Sequence, residues 1–152
     1  MELGFIFEPE PLSSIEFIDL FTDRFVMVMS AQHPLAKRTS VTFDELQGQS
    51  YITMNQGSSI RRWTEEAFLQ HGISVRKVIE TSQFATLANL VAANIGVSIV
   101  PSLCITQMAS KGCVCKEISD VSIQKRVGLI KRSKKDLSTA AQHLVKQLVA
   151  PV

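Results

Sequence analysis

The sequence predicts an α/β fold, and three observations predict it. Short strand-like runs alternate with helical runs, the order of βαβ units and of a mostly parallel sheet. One β-prone run, Ile15 to Met29, is too long for an ordinary strand and must bend or cross between two lobes. The chain has 152 residues, 45% hydrophobic and 20% charged, enough for one domain or two small lobes around a sizeable core.

The elements follow in order. Leu3 to Phe7 is a short apolar run and reads as a buried strand. Glu8 to Ser14, with two prolines and two serines, is a loop, and the long strand comes after it. His33-Pro34-Leu35 is a turn, because proline pushes its predecessor out of the helical region. Thr42 and Glu45 have the spacing of a capping box, with Val41 and Leu46 placed as a hydrophobic staple, so a compact helix starts here and Gly48 ends it. Tyr51 to Met54 is a strand, Asn55 to Ser59 a polar loop, and Ile60, Trp63, Thr64, Ala67 and Phe68 recur at helical spacing until Gly72.

The pattern then repeats. Val75 to Glu80 is a strand, Thr81-Ser82-Gln83 a polar turn, and Phe84 to Asn94 a helix apolar on almost every side, hence buried, and ended by Gly96. Val97 to Val100 is a buried strand, and Pro101 opens a short helix to Ala109. Cys113 to Ile118 and Lys125 to Lys131 are strands. Ser138 caps a last helix with Ala141, Leu144, Val145, Leu148 and Val149 on one stripe.

Composition narrows the function classes. A net charge of +2 does not by itself imply nucleic acid. The cluster Lys125, Arg126, Lys131, Arg132, Lys134 and Lys135 reads as a solvated strand end and turn. Three cysteines, an odd number with Cys113 and Cys115 one residue apart, match neither a disulfide framework nor a zinc site; they read as small apolar residues in a reducing, cytoplasmic compartment. No signal peptide is expected. The most apolar stretch, Leu87 to Ile105, is interrupted by Asn89, Asn94, Gly96 and Pro101 and does not read as a membrane span. No phosphate-loop, nucleophile-elbow, zinc-protease or dinucleotide motif is present, and His33, His71 and His143 stand in no triad or metal spacing. No enzyme, metal or cofactor is expected.

Two strand-to-helix turns carry the chemistry. In open α/β sheets ligands bind outside the carboxyl ends of strands. Gln56-Gly57-Ser58-Ser59 and Ser82-Gln83-Phe84 should both lie there. A helix start offers free N–H groups and partial positive charge, so it can hold a carboxylate without a charged side chain. Ordinary N-capping by serine would account for the same residues. Arg61 and Arg62 break a local rule. They place positive charge in a first helical turn, at a cost of a few tenths of a kcal/mol, either as tolerated surface arginines or as extra potential for an anion. Phe84 and Pro101 would add apolar wall.

Phe21 to Val28, His33 to Ala36, Tyr51 to Met54 into Gly57 to Arg61, Leu90 to Ala93, Gly96 to Pro101, Arg126 to Ile130 and the closing helix together resemble the regulatory domain of LysR-type transcription regulators. The resemblance covers essentially the whole chain, and its specificity lies in the order and spacing of these segments. It implies a two-lobed fold of the periplasmic-binding-protein type 2, with two strands crossing between the lobes and a small effector in the cleft. It assigns residues 23–121 to the second lobe, and residues 1–22 with 122–152 to an incomplete first lobe. The winged helix-turn-helix that contacts DNA, and the opening elements of the first lobe, would lie outside this sequence.

The expected effector is a small anion, a carboxylate, held by Gln56, Gly57, Ser58, Ser59, Ser82, Gln83, Phe84 and Pro101. The expected partners are that effector and further copies of the chain, with DNA reached only through the helix-turn-helix. The alternatives are a solute-binding protein of the same fold and an enzyme lobe built on it. An uncovered first lobe should self-associate or be poorly ordered.

Overall fold

The structure is a computed structural model that describes residues 2–133 and 136–149. Lys134 and Lys135 of the basic cluster lie outside the described residues. The chain divides into two compact units: Met1–Asp23 with Gln124–Val152, and Arg24–Ile123.

In the first unit, β1 (Gly4–Phe7) pairs antiparallel with β8 (Gln124–Arg132), and β8 lies between β1 and the opening half of β2 (Ile15–Ser30). Arg126 ties this unit together through Glu8 and Asp19, and Lys131 meets Glu16 at 3.1 Å. The expected loop Glu8 to Ser14 is a loop. The last helix, α4 (Thr139–Val149), starts where expected, with Ser138 Oγ accepting the Ala141 N–H at 3.2 Å. Of its stripe only Ala141 is buried, while Leu144, Leu148 and Val149 are nearly half exposed.

In the second unit, residues 25–30 of β2 are all buried, and this part of the strand pairs antiparallel with β6 (Ser98–Pro101) and with β7 (Cys113–Ile118). The two-residue β3 (Ser40–Val41) joins β7 in parallel. The sheet around β2 is therefore mainly antiparallel, which corrects the expectation of a mostly parallel one. The alternation of strands with helices is real, but the long strand returns against its neighbours in the opposite sense. Parallel pairing is kept by β4 (Ser50–Met54) with β5 (Arg76–Thr81), separated by α1 (Ser59–His71), and by β4 with the start of β6 through Tyr51 and Val97. One core packs Val26, Val28, Ile52, Met54, Leu87, Val91, Val100 and Met108. On the other side of β4, Phe68 stacks near Phe43 (5.6 Å) and meets the Tyr51 ring edge-on (5.3 Å).

Several local expectations change. The capping box forms, with Glu45 Oε1 accepting the Thr42 N–H at 2.9 Å, but it starts a single 3₁₀ turn, Phe43–Leu46, and not a longer helix. The staple residues Val41 and Leu46 are fully buried and supply its stability. His33 also caps a 3₁₀ turn, Pro34–Lys37, its Nδ1 accepting the Leu35 N–H at 3.1 Å. Helix α2 (Phe84–Ala92) is buried on one side only; Ala85, Thr86 and Asn89 are exposed, because small and polar residues fill that face. Asn94, at φ 61°, makes the left-handed turn after α2, and Gly96 does not. Gly96 has another duty: a Cβ there would sit 2.8 Å from the Ser50 carbonyl oxygen, so only glycine lets this segment close on β4. Pro101 ends β6 and precedes a 3₁₀ turn, Ser102–Cys104, and α3 (Ile105–Ser110) follows.

Candidate functional site

The site is built by three neighbouring strands of the second unit that run the same way. On one side of β4, the Asn55 N–H reaches the Thr81 carbonyl at 3.0 Å, so β4 and β5 end together. On the other side, the Ile52 N–H donates to the Val97 carbonyl (2.9 Å), the Val97 N–H donates to the Ser50 carbonyl (2.8 Å), and Ser98 Oγ donates to the Ile52 carbonyl (2.7 Å). The carboxyl ends of β5, β4 and β6 thus share one edge. Gln56 to Ser59, Ser82 to Phe84 and Pro101 all belong to that edge, the place where open α/β sheets present ligand sites.

Each residue has a definite place there. Gln56, Gly57 and Ser59 are exposed and Ser58 is half-buried. Gly57 takes φ +89°, a conformation that favours glycine and turns the chain sharply into α1. Ser58 Oγ accepts the Arg61 N–H at 3.5 Å as the N-cap, which leaves its own hydroxyl proton available to donate. The second turn is less committed: Gln83 precedes α2 without a side-chain cap, Ser82 and Gln83 are exposed, and Phe84 is half-buried against the core. Pro101 is buried, paired with Phe25 of β2. A groove of ≈ 430 Å³ runs along Gln56, Gly57, Ser58, Arg61, Arg62 and Glu65.

Two residues at this edge, Arg61 and Glu80, take roles that depend on the sheet. Arg61 is not a free charge facing the turn. Its Nε meets Glu65 at 3.0 Å, and its Nη1 donates to the Met54 carbonyl at 3.1 Å and lies 3.4 Å from Glu80. Glu80, at the end of β5, also accepts the Gln56 N–H at 3.3 Å. Glu65 stands four residues after Arg61, one helical turn on, whereas Glu80 lies too far along the chain to be linked without the sheet. Lys77 Nζ, 2.6 Å from Glu65, is the main cause that holds the Glu65 carboxyl below its ordinary range, with Arg61 adding to it against the opposing effect of partial burial. Arg62 instead lies over the Trp63 ring at 5.9 Å.

Other titratable groups serve packing. The Cys113 thiol donates to the Ala88 carbonyl at 3.2 Å. Burial first, then the neighbouring Cys113 and Cys104, push the Cys115 thiol up to about 11. The His71 ring packs on Phe43 at 5.3 Å. Among the described residues no three His, Cys, Asp or Glu side chains converge to hold a metal ion, and no helix is long and apolar enough to cross a membrane.

Known proteins share this fold. Residues 1–150 match the family model described as the LysR substrate binding domain. Over 144 residues the chain is 28% identical to the uncharacterized HTH-type transcriptional regulator YfeR of Shigella flexneri, covering 95% of this chain and 46% of that protein. It is 31% identical over 106 residues to the transcriptional activator protein LysR of Escherichia coli, covering 70% of this chain and 34% of that protein. The chain thus spans less than half the length of these two relatives. Among solved structures, the regulatory domain of CcmR from Synechocystis, in complex with 2-PG, superposes with a TM-score of 0.85 at 21% identity, covering 98% of this chain and 72% of that one. The effector binding domain of QuiR in complex with shikimate gives 0.85 at 22% identity, covering 97% and 70%. The fold is therefore the type 2 periplasmic-binding-protein-like fold of such regulatory domains. With a family model matched along nearly its whole length, this chain belongs to the LysR substrate-binding domain family.

Proposed function

We propose that this chain is the effector-sensing part of a LysR-type transcription regulator. In this reading the shared carboxyl edge of β4, β5 and β6 binds a small anionic molecule, a carboxylate. Residues 23–121 form the second lobe of the regulatory domain, and residues 1–22 with 122–152 belong to its first lobe. The regulator works in the cytoplasm as a homo-oligomer, and DNA is contacted by a helix-turn-helix part of the kind the relatives' names record. One observation carries the proposal: in a chain of this family, two helix starts, Ser58-Ser59 and Gln83-Phe84, open onto one sheet edge. Free backbone N–H groups and the partial positive charge of both helices favour a carboxylate there. Phe84 supplies an apolar wall.

Calorimetry with a panel of small carboxylates, including shikimate, tests this. Ser58→Ala is expected to weaken the binding carboxylate by at least about tenfold, the cost of one hydrogen bond to a charged group. Tight binding of a neutral or cationic effector that Ser58→Ala leaves untouched refutes the reading.

A further inference from the structure

Arg61 contradicts a local preference, since a cation in a first helical turn opposes the helix dipole. Its surroundings explain the contradiction. The side chain is only 13% exposed, and the guanidinium has acceptors on three separate elements. Glu65 belongs to α1 itself, Met54 gives the last carbonyl of β4, and Glu80 stands near the end of β5. Through Glu80 the chain of contacts returns to the backbone of the turn, at the Gln56 N–H. Both ends of the Gln56–Ser58 turn, and the neighbouring strand, are thereby held by one planar fork. Two carboxylates already balance its charge.

We infer that Arg61 is the positioning residue of the Gln56–Ser59 turn and does not meet the effector itself; this rests on the proposed role of that turn. The rigid fork sets the distance between the end of β4 and Glu80, and Glu80 in turn fixes the Gln56 N–H. A lysine keeps the charge but has one compact ammonium and no fork, so it cannot hold three acceptors on separate elements in the same geometry. Charge alone does not substitute, which separates this role from that of an anion-attracting arginine.

The experiment uses the full chain, with amide hydrogen exchange and a shikimate titration followed by NMR. Arg61→Lys is expected to speed exchange of the hydrogen-bonded Gln56 and Ser58 amides by about tenfold while leaving Ser82 to Phe84 unchanged. Glu80→Ala should have the same local effect. Glu80→Gln, which keeps an acceptor oxygen, should recover most of the protection. Unchanged exchange at Gln56 and Ser58 in both Arg61→Lys and Glu80→Ala overturns the inference. So does a uniform rise across the second unit, which would mark a merely structural residue; Glu80→Ala and Glu80→Gln keep the test open if Arg61→Lys fails to fold. Shikimate tests the parent reading separately. If the wild-type turn amides do not respond to it or to the carboxylate panel, the effector reading falls, while the exchange result still decides the role of Arg61.

Discussion

Gly96→Ala probes the contact that brings β6 alongside β4, and with it the shared edge. An added Cβ would stand 2.8 Å from the Ser50 carbonyl oxygen, 3.1 Å from the carbonyl carbon and 3.3 Å from Ile52 Cγ1. Two of these atoms are backbone, so no side-chain rotation relieves the clash. Ordinary contact begins at 3.4 Å, so the strands must part by about 0.6 Å. The same carbonyl accepts the Val97 N–H at 2.8 Å, and the neighbouring Ile52 N–H···O bond is 2.9 Å; both would lengthen. Overpacking of this kind costs about 1–3 kcal/mol. Alanine recovers about 0.4–1 kcal/mol by restricting the unfolded chain. The mid-range values leave a net loss of about 1.3 kcal/mol, or about 3–5 °C in Tm for a chain of this size. Urea and thermal unfolding followed by the fluorescence of Trp63, the single tryptophan and buried in the second unit, measures it. A variant as stable as the parent, or more stable, shows that β4 and the Gly96 segment are not in this close contact.

Three further outcomes follow from the same structure. Glu65 is held below the ordinary carboxylate range by Lys77 and Arg61, so its contribution to stability is complete above its unfolded-state value and is lost as pH falls through the lower folded-state one. Lys77→Met should therefore flatten the acid limb of a pH–stability curve, and an unchanged limb refutes the pairing. With its thiol pushed up to about 11, Cys115 at pH 8 carries only about one thiolate in a thousand, so it should alkylate far more slowly than a free peptide cysteine; rapid labelling mapped to Cys115 by mass spectrometry would contradict its burial. In the first unit, Phe5, Leu144, Leu148 and Val149 stand about half exposed, and β1 is an edge strand of its sheet. Concentration-dependent association in sedimentation is expected, weakened by Leu144→Lys with Leu148→Lys, or else faster exchange in this unit than in the other; a strict monomer with equal protection in both units refutes this.

Much of the fold was legible in the sequence because it is written in local chemistry. The positions of β4, α1, β5, α2, β7, β8 and α4 follow from apolar period, caps and turn residues that act within a few neighbours. Ser58, Ser59 and Ser82 were identifiable because a polar turn between a strand and a helix is itself a local pattern. Strand direction was not legible. Whether β2 meets β6 and β7 antiparallel depends on how the long strand returns, and the same apolar residues serve either sense. The duty of Gly96 was hidden for a similar reason: a glycine after a helix suggests a cap, and only the approach of the Ser50 carbonyl shows that it is a contact. Arg61 was visible as an anomaly but not as a fork, since two of its three acceptors, Met54 and Glu80, lie outside its helix. The sequence by itself thus determined most of the elements, the family and the residues offered to the candidate edge. Tertiary structure decided strand sense, close approach and the pairing of charge, because each depends on groups distant in the chain that only the sheet brings within a few ångströms.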